Sequence, residues 1–498
     1  MAFVSLDYIV FLPIVVLVCY IIPSKIRYIW LLAASYFFYM NWNALYAILL
    51  LSSTLITYIS GFFLDKINNM ELSSDAKKFR KNITTTICTI LNLGILFAFK
   101  YLGFAIESIN RVLNMMNRDG FSFETTILLP VGISFYTFQA IGYVIDVYRG
   151  DTEHEKNFFK YALFVSFFPQ LVAGPIERSK NLLKQLNNPI RFDYDRFRDG
   201  IMLMLWGYYL KMVIADRAAI YVDTVYDSPI AYPGVYLLIA TVLFGIQIYC
   251  DFAGYSCIAI GSARILGIDL MTNFRYSYLS ESVQEFWRNW HISLNTWFRD
   301  YLYIPLGGNR KGKVRQYINL MIVFLLSGLW HGANWTYVVW GGLNGLYQII
   351  SRLLKGPKKI LAGLLRINTY SLGSRIIKVL ITFVLVDTAW IFFRVNHIRT
   401  AIDIIASIIG NRNYMVFYNG GLYECGLDSK NFALLFMAIV LLLIVDILNK
   451  RGMIVRDIIL RQDAWFRCIT VAVSIAFILL FGIWGSAYDA KSFIYFQF

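Results

Sequence analysis

Apolar positions in this chain gather into long runs that recur from end to end, separated by short polar stretches. Runs over 7–22, 26–42, 44–64, 82–101, 124–148, 235–263, 376–395, 431–448 and 468–485 are each near or above the ~18 residues that cross a ~30 Å hydrocarbon layer as a helix. The pattern predicts an all-α polytopic membrane protein with roughly 11–13 membrane segments on hydropathy grounds. Residues 1–23 lack a basic leader and a small-residue cleavage site, so the first run is expected to stay as a span.

The polar stretches predict sidedness. Lys25 and Arg27 after the first run, and Lys66, Lys77, Lys78, Arg80 and Lys81 in 65–82, mark cytoplasmic loops. So do Arg178, Lys180, Lys184, Arg191, Arg196 and Arg198 in 177–199. With 149–160 also inside by alternation, the apolar stretch 161–176 lies between two inside loops and should dip in and return, broken at Pro169, Gly174 and Pro175. The same logic applies to 316–351, which sits between basic stretches 264–315 and 352–378. It should form a helical hairpin, about 18 residues and ~27 Å per arm, with its apex near "HGANW". The tail after 485 emerges on the outer face in this scheme.

Composition sharpens the class. The 498 residues are 58% hydrophobic and 15% charged, against the ~25% charged residues of soluble domains. A net charge of +15 would suggest nucleic acid in a soluble protein; here it follows from basic cytoplasmic loops meeting anionic lipid. Cys19, Cys88, Cys250, Cys257, Cys425 and Cys468 form no CxxC pair, so neither a disulfide framework nor a metal site is indicated. Phosphate-loop, dinucleotide and EF-hand patterns are not found.

Ionisable residues at membrane depth are costly and so draw attention. Lys211, Asp216 and Arg217 interrupt 200–222, and Lys211 and Arg217 are open to a snorkelling reading. Asp146 lies near Arg149, a natural interfacial partner. Asp251, with apolar residues on both sides, is either half of an ion pair or part of a site. His331, one of four histidines, sits in "FLLSGLWHGANWTYVVWGG" (324–342) between Trp330 and Trp335. A second stretch, "SVQEFWRNWHISLNTWFRDYLYIPLGGNRKG" (282–312), interleaves Trp287, Trp290 and Trp297 with Arg288, Arg299 and Asp300, which suits an interfacial helix. That reading leaves unexplained why His291 and Asn295 are spaced to share a helical face.

These two stretches together resemble the membrane-bound O-acyltransferase family, and within it the bacterial alginate O-acetyltransferase-like branch. "LPVGISFYTFQAIGYVIDVYRG" (129–150), "FVSFFPQLVAGPIERSKNLLKQL" (164–186), "DFAGYSCIAIGSARILGI" (251–268) and the terminal "FIYFQF" (493–498) extend the likeness to nearly the whole chain. The resemblance implies one integral-membrane domain, 1–498: N-terminal spans to 160, a catalytic core with re-entrant segments over 161–350, and C-terminal spans and tail beyond. Re-entrant or interfacial helices would surround a central catalytic funnel. His331 matches the family's signature histidine and His291 the second catalytic position.

Trp330, Asn334, Asp251, Asn295, Trp287 and Arg299 are the expected substrate-binding residues. Acetyl would come from acetyl-CoA as substrate, with no tightly bound cofactor. It would pass to a polysaccharide outside the bacterial plasma membrane, with help from an extracytoplasmic SGNH-type acetyltransferase docked near 396–430 or the aromatic tail.

On this reading His331, desolvated among tryptophans, is a neutral general base. His291 assists at the thioester carbonyl or orients the base, Asn334 supplies an oxyanion hydrogen bond, and Asp251 fixes a histidine tautomer. A covalent acyl-histidine is a further route. The basic run 307–316 could attract coenzyme A phosphates, or be an ordinary positive-inside loop. D-alanyl or lipid acylation stays open within the family. Outside it, a transporter would show the same broken helices and membrane charges without ester chemistry, and a glycan-synthase scaffold would have no need of either histidine.

Overall fold

The computed structural model describes residues 1–122, 130–172, 174–188, 191–484 and Ile494. The protein is an all-α polytopic membrane protein, with no strand among the described residues. Among the described residues, six helices are long and apolar enough to cross a membrane: Tyr46–Asn68, Ser74–Met115, Val235–Ile265, Leu372–Arg394, Ser429–Lys450 and Ala464–Phe481. The first six residues of the predicted 124–148 run lie outside the described residues; the rest is helical from Ile133 to Arg149.

The chain divides into two compact units, Met1–Ile201 with Ala259–Met271, and Met202–Ile258 with Thr272–Phe498. In the first, the stretch over 161–176 is broken, as its prolines and glycine predict. Helix Phe158–Ser166, buried from Tyr161 on, stops, and a buried single turn Phe168–Leu171 follows. The break frees backbone groups that side chains then satisfy. The Phe164 carbonyl accepts from Gln139 Nε2 (2.5 Å) and Gln170 Nε2 (2.7 Å), and Ser35 Oγ accepts from Phe168 N (3.1 Å). Non-helical backbone at this depth persists only where protein supplies such partners. Asp146 accepts from Ser179 Oγ at 2.7 Å, a partner not foreseen from sequence.

The second unit carries the histidines of interest on six helices, labelled here α1 (Val235–Ile265, of which residues to Ile258 belong to this unit), α2 (Val283–Asn289), α3 (Ile292–Phe298), α4 (Lys313–His331), α5 (Trp335–Leu353) and α6 (Leu372–Arg394). The expected hairpin is α4 and α5, 19 residues each, turning at 332–334. Small residues let the arms touch. A Cβ on Gly328 would stand 2.2 Å from the Tyr337 carbonyl oxygen, and one on Gly341 2.2 Å from that of Phe324. Close backbone approach of this kind is how helices associate where no hydrophobic effect drives them. Ser429–Lys450 buries a narrow stripe including Leu435, Ala438 and Leu442, and leaves Phe436, Met437 and Leu441 exposed.

Two sequence expectations are corrected. Lys211 and Arg217 do not snorkel. Lys211, on a widened turn over Tyr209–Ala215, is buried with Nζ 2.7 Å from Asp216 Oδ1 and 2.6 Å from Asp251 Oδ1. Arg217 donates to the carbonyls of Val213 (2.8 Å) and Phe481 (2.7 Å). An unpaired cation in this interior would be costly, so proximity to carboxylates and carbonyls outweighs the reach to water. The stretch 282–312 is not one interfacial helix either. It breaks at Trp290–His291 into α2 and α3.

Candidate active site

His331 is the last residue of α4, where the chain turns into the hairpin apex. Its ring is enclosed edge-on by Trp330 (centroids 4.9 Å apart), Trp340 of α5 (5.0 Å) and Phe393 of α6 (5.5 Å). Trp335, the other tryptophan beside His331 in sequence, is 46% exposed. It is the first residue of α5, whereas Trp340 lies five positions further on, on the face packed against α4.

His291 joins α2 to α3 in the left-handed conformation (φ 44°, ψ 55°), and so leaves the helical path on either side. Its ring meets Phe252 of α1 at 4.7 Å and Trp330 at 5.9 Å, and its centroid lies 6.4 Å from that of His331. Trp330 thus touches both imidazoles. The two rings are close enough that one reacting atom between them could hydrogen-bond to both.

Aromatic side chains form the wall behind this pair. Trp340 stacks on Trp390 (5.4 Å, 23°) and meets Trp287 at 5.6 Å, and Trp390 touches Trp290 at 5.2 Å. Trp287 also donates from Nε1 to Asn344 Oδ1 at 3.1 Å. Both histidines are buried, His291 at 1% and His331 at 4% exposure. His291 lies outside the spanning helices, and burial pushes its imidazole well below the ordinary histidine range. It is therefore neutral at neutral pH, with one ring nitrogen a donor and the other an acceptor. Exclusion of water by this cage strengthens any hydrogen bond made to a developing charge.

Of the residues predicted from sequence, the structure brings together His331, His291, Trp330 and, in the wall, Trp287. Four others are placed elsewhere. Asn334 is the N-cap of α5: its Oδ1 accepts from Thr336 N (3.1 Å), and its Nδ2 donates to the Asn396 carbonyl (3.0 Å) rather than toward either histidine. Asp251 directs its oxygens to Lys211 Nζ and to Ile494 N (2.8 Å), not to a histidine ring. Arg299 is exposed and pairs with its neighbour Asp300 at 2.7 Å. Asn295 turns its amide back onto the chain, donating to the carbonyls of Trp290 (2.6 Å) and His291 (3.2 Å).

Sequence reasoning missed Phe252, Trp340, Trp390 and Phe393 as cage residues. Trp340 stands inside the quoted histidine stretch and could have been weighed, whereas Trp390 and Phe393 lie about 60 residues further along in an ordinary apolar run. The basic run also differs from the rest of the site: Arg310, Lys311, Lys313 and Arg315 are exposed around a turn shaped by positive φ at Gly307, Gly308 and Gly312.

The pattern of the membrane-bound O-acyltransferase family matches residues 153–356, which include both site histidines. A probable alginate O-acetylase of Pseudomonas syringae pv. tomato is 39% identical over 392 residues, 78% of this chain and 71% of that protein. A peptidoglycan O-acetyltransferase of Helicobacter pylori is 32% identical over 409 residues, 77% of this chain and 73% of that protein. A teichoic acid D-alanyltransferase of Streptococcus thermophilus is 27% identical over 251 residues, 47% of this chain and 59% of that protein.

Proposed function

Since the chain belongs to the membrane-bound O-acyltransferase family and is a multi-pass O-acyltransferase of the bacterial inner membrane, we propose that it moves acetyl from cytoplasmic acetyl-CoA to hydroxyls of an extracytoplasmic polysaccharide. The observation that carries this reading is the buried His291–His331 pair, its centroids 6.4 Å apart in an aromatic cage. Such an arrangement suits acyl transfer, which needs a base, a donor to the carbonyl oxygen and the exclusion of water. The acetyl assignment draws on the alginate and peptidoglycan relatives, which this chain matches over more than two thirds of their length.

In the proposed step His331 takes the proton of the acceptor hydroxyl as its oxygen attacks the thioester carbonyl. His291 donates a hydrogen bond to the oxyanion that forms. The carbon–sulfur bond then breaks, the ester remains on the acceptor, and His331 returns the proton to the leaving thiolate. Arg310, Lys311, Lys313 and Arg315 would attract the phosphates of coenzyme A. An extracytoplasmic acetyltransferase of the SGNH-hydrolase type would complete delivery to the glycan. The exposed Tyr414, Met415, Phe417 and Tyr418 are the candidate contact for it.

Inverted inner-membrane vesicles from the native cell, given acetyl-labelled acetyl-CoA, test the donor and the product together. Label should appear in glycan as base-labile ester and be absent from vesicles of a deletion strain. Absence of labelled ester from wild-type vesicles would refute the acetyl reading. Transfer of label from a D-alanyl carrier instead would install the activity named for the Streptococcus relative.

A further inference from the structure

The left-handed turn at His291 is held from three sides. On the N-terminal side, the Asn289 carbonyl accepts from Arg275 N (3.0 Å) and Ser277 Oγ (2.9 Å). On the C-terminal side, Ile292 N donates to the Asn273 carbonyl (2.9 Å), and Ser293 Oγ donates to Asn273 Oδ1 (2.7 Å). Asn273 is itself 1% exposed, and its Nδ2 donates to Ser256 Oγ of α1 at 3.1 Å. From beneath, Asn295 Nδ2 binds the two carbonyls at the break, those of Trp290 and His291. A non-glycine residue at positive φ is disfavoured, and it persists only where its surroundings over-determine it. Such strain concentrates at functional positions.

We propose that Asn273 and Asn295 are positioning residues: they clamp the backbone on either side of His291 in the left-handed turn, and so aim its imidazole at His331 rather than along a continuous α2–α3 helix. Between them they engage the Trp290 and His291 carbonyls, the Ile292 N–H and the Ser293 hydroxyl, while Arg275 and Ser277 hold the Asn289 carbonyl. Neither side chain is needed to contact substrate. Without the clamp the helical path through 290–292 becomes the lower-energy one, and the His291 ring swings away from Trp330. The proposal rests on the reading that His291 takes part in transfer.

Its test uses the labelled acetyl-CoA vesicle assay with His291→Ala, Asn295→Asp, Asn273→Ala and Asn273→Asp, at matched protein levels. Asn295→Asp keeps the shape and removes the two donors. It should lower kcat by about tenfold to a hundredfold, the scale of a misplacement near 1 Å, with KM for acetyl-CoA within about twofold of wild type. Asn273→Ala should behave alike, and Asn273→Asp, which still accepts from Ser293, should recover most of the rate.

Full activity in His291→Ala would overturn the role of His291 itself. Loss in His291→Ala with wild-type kcat in Asn295→Asp and Asn273→Ala would overturn the clamp alone. Should Asn295→Asp accumulate poorly, melting temperatures of the purified proteins decide the matter. Glycine adopts φ > 0 freely, so Asn295→Asp should lower the melting temperature less in a His291→Gly background than in wild type. Equal losses in both backgrounds would contradict the proposal.

Discussion

Lys211 is shared between two carboxylates, and its ammonium also lies 5.6 Å from the centre of the Tyr255 ring. Buried ion pairs add little net stability, but removing one partner strands the others and costs about 3–5 kcal/mol. Lys211→Met should therefore lose most of its detergent-stable protein in fluorescence-detected size exclusion. A triple change with Asp216→Asn and Asp251→Asn should recover much of it. A wild-type melting temperature for Lys211→Met would show that the cluster bears no structural load. The sequence marked all three residues as costly at membrane depth, yet it could not show that they meet. Forty positions separate Lys211 from Asp251, and the widened turn over Tyr209–Ala215 aims the lysine inward. Asn334 carries a different lesson. Its place just before an apolar helix was a legible capping signal; the cap uses its Oδ1, and the Nδ2 that an oxyanion role would need is turned to the Asn396 carbonyl.

Among the elements, the hairpin was legible and the broken helix was not. Two basic stretches bracketing about 36 apolar residues leave room only for two arms and a turn, and α4 and α5 are those arms. By contrast, nothing local marks His291 as left-handed; no glycine or asparagine occupies the position. Apart from those of Asn295, the bonds that hold the turn come from residues 273–277, outside the window that a periodicity argument uses. Glycines 341 and 342 make a matched test of the hairpin. Gly341→Ala puts a methyl against the Phe324 carbonyl at 2.2 Å, and backbone cannot yield there without the arms parting. The added methyl of Gly342→Ala meets only the end of the Leu325 side chain, at 3.5 Å. The first should destabilise by about 1–3 kcal/mol and lower the melting temperature, and the second should change it little. Equal melting temperatures for the two variants would show that close contact at Gly341 does not hold the hairpin.

At the scale of the whole molecule, the aromatic and histidine residues of the site all lie in the second unit, on segments spread from Phe252 to Phe393. Composition and run length were enough for an all-α membrane protein, because both report on the solvent around the chain. Closure of Phe393 and Trp340 on His331 is a tertiary matter and could not be read from spacing. On the proposed reading, the cage would give a titratable side chain in apolar surroundings its use, by excluding water from the base. The central claim, that His331 carries the chemistry, is tested most directly by base-labile acetate on purified surface glycan. The samples are a deletion strain complemented with wild type or with His331→Ala at equal membrane levels. Loss of a general base costs typically ~10²–10⁴ in rate, so acetate should return with wild type and stay at the deletion background with His331→Ala. Equal acetate from both strains would contradict the account and leave His331 a packing residue.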